Sequence, residues 1–224
     1  MQKKRISRRH MLKLVGMAGV LSVFAPASFP VSVRAAEPGG KSILVVYFSM
    51  PETDNPHNMT REEENSTVVV NGKVLGNTQY VAQLIRGMTG GDLFRIEPEK
   101  PYPTDHRTLV ELAKDERNGN ARPAIAGKVG NMEAYDTVFI GYPNWWADMP
   151  MILYAFLEQY DLSGKTVIPF CTHGGSGFSD TIETIARLQP KARVVEEGFV
   201  LSRNRMERAE SGLAEWLKEL GFKK

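Results

Sequence analysis

Ile43-Leu44-Val45-Val46-Tyr47-Phe48 is an unbroken apolar run of β-forming residues. It predicts a strand buried on both faces. From Thr78 to Met88, the residues Val81, Ala82, Leu84, Ile85 and Met88 recur at helical spacing. Asp92 to Glu97 predicts a second strand. Asp105 to Arg117 predicts a helix with Leu109, Leu112 and Ala113 on its apolar side. Asp136 to Gly141 is a third strand, ended by Tyr142-Pro143, and Pro150 to Gln159 a helix with proline in its first turn. Lys165 to Cys171 predicts the fourth strand, Ser179 to Leu188 a helix, Ala192 to Val200 the fifth strand and Arg205 to Leu220 a closing helix. Strands alternating with helices call for a parallel sheet covered on both faces, an α/β doubly wound sandwich of three layers and five strands.

One connection breaks the rhythm. Residues 50–75 separate the first strand from its helix, where such loops usually take about 2–6 residues. The first half, Pro51 to Ser66, is polar. The second half, Thr67 to Leu75, reads strand, Asn71-Gly72, strand, the signature of a tight type I′ hairpin. A loop of this length is either functional or a decorative insertion.

Charge divides the chain in two. The net charge is +2, from 28 Lys and Arg against 26 Asp and Glu. Residues 1–36 hold seven of those cations and no acid, so 37–224 carry a net −5. The basic start precedes an apolar run from Met11 to Ala25, then Pro26, Pro30 and Val33-Arg34-Ala35-Ala36. That is the layout of a secretory signal cleaved near Ala35 or Ala36. The run is too short and too glycine-rich for a good membrane span, and no lipid-attachment Cys follows it. Ser7-Arg8-Arg9-His10-Met11-Leu12-Lys13 resembles a bacterial twin-arginine (Tat) signal, with Met11 where Phe is usual. The resemblance implies export of a folded, cofactor-loaded protein to the periplasm or another extracytoplasmic space. It leaves 37–224 as a single domain without a stable membrane anchor. The acidic balance of that domain argues against nucleic acid.

In an open α/β sheet, ligands bind beyond the C-terminal ends of the strands. Three such ends carry distinctive residues: Tyr47-Phe48-Ser49-Met50, Gly141-Tyr142-Pro143-Asn144-Trp145-Trp146, and Cys171-Thr172-His173-Gly174-Gly175-Ser176-Gly177. Together with Gly76-Asn77-Thr78 opening a helix, they resemble the flavodoxin superfamily. There the phosphate loop runs Tyr-Phe-Ser-x-x-Gly-Asn-Thr without the break seen here. The resemblance covers nearly all of 41–224. It implies strand order 2-1-3-4-5, FMN as cofactor, and a hairpin-bearing insertion in the phosphate loop.

The residue types suit that reading. A phosphate at a helix N-terminus meets free N–H groups and the positive dipole end. Ser49, Met50, Asn77 and Thr78 are the candidates there, though Ser or Asn also serves as a plain helix cap. Pro143, Asn144, Trp145 and Trp146 would serve the flat ring, one tryptophan stacking and the other packing below. The alternative is two core tryptophans. Thr172, His173, Gly174, Gly175 and Gly177 would bind the pyrimidine edge. His173, the one catalytic candidate, stands where electron-carrier flavodoxins have an aromatic and acids, which leaves room for a flat substrate. A solvent-facing histidine is the plainer alternative.

The resulting expectation is an oxidoreductase passing electrons from a donor through flavin to a small-molecule acceptor such as a quinone. A flavodoxin-type electron carrier docking to a redox partner protein is the alternative, and a flavin-free binding module the third. A homodimer is one option for its assembly. Other readings fail. Gly164-Lys165-Thr166 lacks the first glycine of a nucleotide P-loop and precedes its strand. No His follows His173, so a Ser-acid-His hydrolase order is excluded. The histidines show no metal-ligand spacing. One Cys forms no intrachain disulfide and reads as a buried strand residue. Arg203, Arg205 and Arg208, interleaved with Glu207 and Glu210, read as a solvated face.

Overall fold

The computed structural model describes residues 42–222. The signal-type segment 1–36 lies outside them. In chain order the elements are β1 (Ile43–Tyr47), α1 (Arg61–Ser66), β2 (Thr67–Val70), β3 (Lys73–Gly76), α2 (Asn77–Thr89), β4 (Asp92–Arg95) and β5 (Glu97–Pro98). There follow α3 (His106–Asn118), β6 (Ile125–Ala126), β7 (Thr137–Pro143), α4 (Met151–Gln159), β8 (Thr166–His173) and α5 (Thr181–Leu188). The chain closes with β9 (Arg193–Val194), β10 (Phe199–Ser202), a 3-10 segment Arg203–Arg208 and α6 (Ala209–Glu219).

The main sheet runs β10-β8-β7-β1-β4, all parallel. In order of appearance this is 2-1-3-4-5, the order the resemblance implied. Alternation along the central strands builds two cores. Leu44, Val46 and Phe48 with Val138, Ile140 and Tyr142 face one side, where Ile152, Leu153 and Phe156 of α4 cover them. Ile43, Val45, Tyr47 and Phe139 face the other, under Val81 and Ile85 of α2 and Leu213 and Trp216 of α6. Because both faces are covered, every one of these strand residues is apolar, and polar chemistry is confined to the strand ends.

The fifth strand differs from its expectation. Ala192–Val200 does not form one strand; it is split into β9 and β10, both paired with β8. The register passes from Val167↔Val194 to Phe170↔Phe199, so the outer strand carries two extra residues at the break. Pro169 sits there and has no N–H to give the ladder. Gly198 closes against it: a Cβ would stand 2.6 Å from Pro169 O and 2.6 Å from the Phe178 ring.

The insertion is folded. β2 and β3 form the expected hairpin, with Asn71 and Gly72 at φ 50° and 78°, the left-handed pair a type I′ turn requires. The polar half holds a helix, α1, that hydropathy does not reveal. Its signal was nonetheless present as a capping box: Thr60 Oγ1 accepts from Glu63 N at 3.2 Å, and Glu63 Oε2 accepts from Thr60 N at 2.7 Å. Among the described residues no helix is long and apolar enough to cross a membrane.

Candidate functional site

A cleft of about 240 Å³ opens at the C-terminal ends of β1, β7 and β8, where the connections from β1 and β7 diverge to opposite faces of the sheet. The α2 N-terminus forms one end. Its first N–H groups have no intrahelical acceptors, and Gly76 N instead donates to Gln79 Oε1 at 3.2 Å. Gly76 is required here: a Cβ would stand 2.2 Å from Ser49 Oγ. Thr78 Oγ1 and Thr172 Oγ1 form a buried hydrogen bond of 2.7 Å, tying the helix to the end of β8. Asn77 is buried; its Nδ2 donates to Asn65 O at 2.8 Å, and its Oδ1 has no partner. Arg95 Nη2 reaches Ser49 O at 3.4 Å.

The wall after β7 is a strained turn. Trp145 N donates to Asp148 O at 2.8 Å and Asp148 N to Trp145 O at 3.0 Å. Between them Trp146 and Ala147 hold φ of 56° and 60°. Each left-handed non-glycine residue costs about 1–2 kcal/mol, and such strain gathers at functional sites. The offsetting contacts are specific. Asp148 accepts from Met149 N at 2.8 Å and from the Tyr154 hydroxyl at 3.0 Å. Trp146 Nε1 donates to Val110 O at 3.1 Å, with Lys114 Nζ 5.6 Å from the ring centroid. The tryptophans divide the work. Trp145 is half-buried, edge-on to Phe48 and Tyr102, while Trp146 is 43% exposed.

The third wall is the loop after β8. Gly177 N donates to His173 Nδ1 at 3.0 Å, so the neutral ring carries its proton on Nε2. Partial burial holds the His173 pKa below the ordinary histidine value. Asn144 pins the loop, its Nδ2 donating to Gly177 O at 3.0 Å and Ser179 Oγ at 3.1 Å. Cys171 lies beneath, its thiol pushed up to about 12 by burial, and is not a reactive group.

Of the residues expected at the site, Ser49, Met50, Asn77, Thr78, Pro143, Asn144, Trp145, Trp146, Thr172, His173 and Gly174 line this one cleft. Gly175 and Gly177 do not; they shape the loop, at φ 159° and 61°. The cleft also takes residues that sequence reasoning missed. Glu52, Glu62, Asn65 and Ser66 come from the insertion, His106, Leu109, Val110 and Ala113 from α3, and Arg203 from beyond β10. Glu52 is 8% exposed and meets His106 Nδ1 at 2.9 Å. Desolvation raises its carboxyl pKa against the opposing pull of His106. Arg203, Arg205 and Arg208 are all exposed, as a solvated face requires, and Arg203 in addition lines the cleft. Among the described residues no group of His, Cys, Asp and Glu is placed to hold a metal.

Comparisons with known proteins agree with this architecture. A family model described as flavodoxin matches residues 67–220. The chain is similar to a candidate flavoprotein from Bacteroides eggerthii, at 30% identity and a TM-score of 0.59, covering 82% of this chain and 100% of that one. It is also similar to a candidate flavoprotein from Bacteroides uniformis, at 28% identity and 0.59, covering 80% and 99%. A flavoprotein from Lactobacillus acidophilus, solved in complex with FMN, shares the fold at 17% identity and 0.51, covering 77% and 99%. No curated protein matches the chain.

Two outcomes follow from the site. Ala147→Gly relieves a left-handed alanine and is expected to raise the unfolding free energy by about 0.5–1 kcal/mol, net of the flexibility glycine adds to the unfolded chain. Ala147→Val is expected to lower it, and urea denaturation reads both. Because the folded His173 pKa lies below the unfolded value of about 6.5, the unfolded state binds more protons between the two. Its contribution is full above about pH 6.5 and is lost as pH falls through the folded pKa. His173→Gln should therefore flatten the decline of stability between about pH 7 and pH 5.

Proposed function

The chain belongs to the flavodoxin family, and on that premise we propose that it is an exported FMN-binding oxidoreductase serving a small acceptor such as a quinone. One observation carries the reading. The α2 N-terminus and the Trp145–Trp146 turn face the same cleft, at the switch point between β1 and β7.

The residues fit the cofactor. FMN joins a phosphate, a polyhydroxyl chain and a flat ring. The Asn77 and Thr78 N–H groups and the Ser49 hydroxyl suit the phosphate. Asn77 Oδ1, buried without a donor, is an acceptor of the kind that a hydroxyl-bearing chain satisfies. Trp145 and Trp146 supply aromatic surface for the ring, and the 172–177 loop supplies donors for its polar edge. Bound FMN provides one- and two-electron chemistry. The protein's part is position and electrostatics. His173 stays neutral near pH 7 and presents Nε2–H as a donor to an electron-rich edge. Thr172, held by Thr78, keeps that loop at a fixed height. The turn at Trp146 and the side chains of α3 exclude water from one wall.

An enzyme is favoured over a carrier by the extent of the cleft. It continues past the Trp145–Trp146 turn onto Leu109, Val110 and Ala113, with His106 and Glu52 beside them. That surface suits a small molecule with an apolar body and a polar end. The purified mature protein is expected to be yellow, or to become so with added FMN. After reduction it should be reoxidised by a small quinone in a rapid stopped-flow phase. Protein that binds no FMN contradicts the cofactor assignment. Slow quinone reoxidation with a stable semiquinone supports the carrier instead.

Export is the second part of the proposal. Replacing Arg8 and Arg9 together with lysine is expected to retain the protein in the cytoplasm, uncleaved near Ala35 or Ala36, as cell fractionation reads it. Undiminished export of that variant contradicts the Tat route.

A further inference from the structure

Arg203 is a cation that the functional reading does not use. It follows β10, is exposed, and lines the cleft. Its guanidinium lies over Gly174, where a Cβ would stand 3.0 Å from Cζ and 3.2 Å from Nη1. The ion pairs among the described residues leave Arg203 without a carboxylate partner.

It lines the same cleft as Ser49, Asn77 and Thr78, and two chains of contact lead from its neighbourhood to the α2 N-terminus. Gly174 is two residues past Thr172, whose hydroxyl bonds Thr78 in the first turn of α2. From the other side α1 packs against the Arg203–Arg208 segment, and Asn65 of α1 holds Asn77. Both chains of contact run from Arg203 to the α2 N-terminus. Buried Asn77 Oδ1 lacks a donor, which marks this part of the cleft independently as built for a ligand, with a ligand hydroxyl beside the phosphate as the group it accepts from.

We propose that Arg203 is the charged partner of the ligand's phosphate, so that this cleft selects a phosphorylated flavin over the unphosphorylated one. The inference rests on the FMN reading above. Asn77, Thr78 and Ser49 give neutral donors only, and no cation adjoins them in sequence. Arg95 bonds the Ser49 carbonyl without lining the cleft, so the Arg203 guanidinium supplies the charge that faces it, with two parallel N–H donors that match a phosphate's oxygens. Gly174 leaves room for it: a side chain there would displace the guanidinium.

The test compares FMN with riboflavin, which differ by the phosphate alone. Wild-type mature protein, Arg203→Gln and Arg203→Lys are titrated with each, by quenching of flavin fluorescence at low and high salt. Arg203→Gln is expected to weaken FMN by about 10- to 100-fold while leaving riboflavin within about twofold. Arg203→Lys falls between, keeping the charge without the fork. Salt lowers the FMN preference of the wild type and not that of Arg203→Gln. Equal weakening of both flavins, or no change in either, overturns the role of Arg203 alone. A wild type that binds neither flavin overturns the FMN reading and this proposal with it. Circular dichroism of each variant separates loss of fold from loss of binding.

Discussion

A buried pair of hydroxyls, Thr78 Oγ1 and Thr172 Oγ1 at 2.7 Å, joins two points 94 residues apart. The cleft depends on that contact. Thr78 opens α2, which must return to the end of β1 after a long excursion through the insertion. Thr172 ends β8, one strand beyond β7. With the two hydroxyls joined, the α2 N-terminus, the Trp145–Trp146 turn and the histidine loop open onto one space. A parallel sheet buried on both faces leaves this chemistry to its strand ends, since the central residues of β1 and β7 pack into the two cores.

The insertion is part of that space. Glu52 N donates to Ser66 Oγ at 3.1 Å, which closes the inserted segment on itself. Glu52 then reaches His106 of α3, and Asn65 reaches Asn77 of α2. A carboxylate this buried persists because the imidazole offsets part of its desolvation. The result is a cleft edge interrupted in sequence but continuous in space, Ser49 and Met50 meeting Asn77 and Thr78, with intervening residues forming a wall. The same logic governs the Trp146–Ala147 turn. Its left-handed backbone is closed by Asp148, and Tyr154 and the carbonyl of Val110 hold it from outside the turn.

Much of this was legible in the sequence. The run 43–48, the helical spacing of 78–88 and the Asn71-Gly72 turn each carry a local signal, and each element formed. The strand-end motifs named nine lining residues, and the helix-opening Asn77 and Thr78 two more, because a doubly wound fold sends strand ends to one place. What was illegible depended on contacts distant in sequence. Arg203 reads as solvated beside Glu207 and Glu210, and only the return of β10 next to β8 brings it over Gly174. His106 looks like an ordinary first-turn residue until Glu52 meets it. The split of the fifth strand comes from Pro169 on its neighbour, which no periodicity within 192–200 reports. The strain at Ala147 is invisible for a different reason, since Trp-Ala carries none of the glycine or asparagine that marks a left-handed turn. The segment 1–36, whose charge and arginine pair carry the proposal of export, lies outside the described residues.

The central claim is that the phosphate of FMN sits on the N-terminus of α2, with the ring against the Trp145–Trp146 turn. A crystal structure of the mature protein grown with FMN tests it most directly. Phosphate oxygens are expected within about 3 Å of the Asn77 and Thr78 backbone nitrogens and of Ser49 Oγ. Electron density for the phosphate elsewhere, or a ring bound away from Trp145 and Trp146, contradicts it.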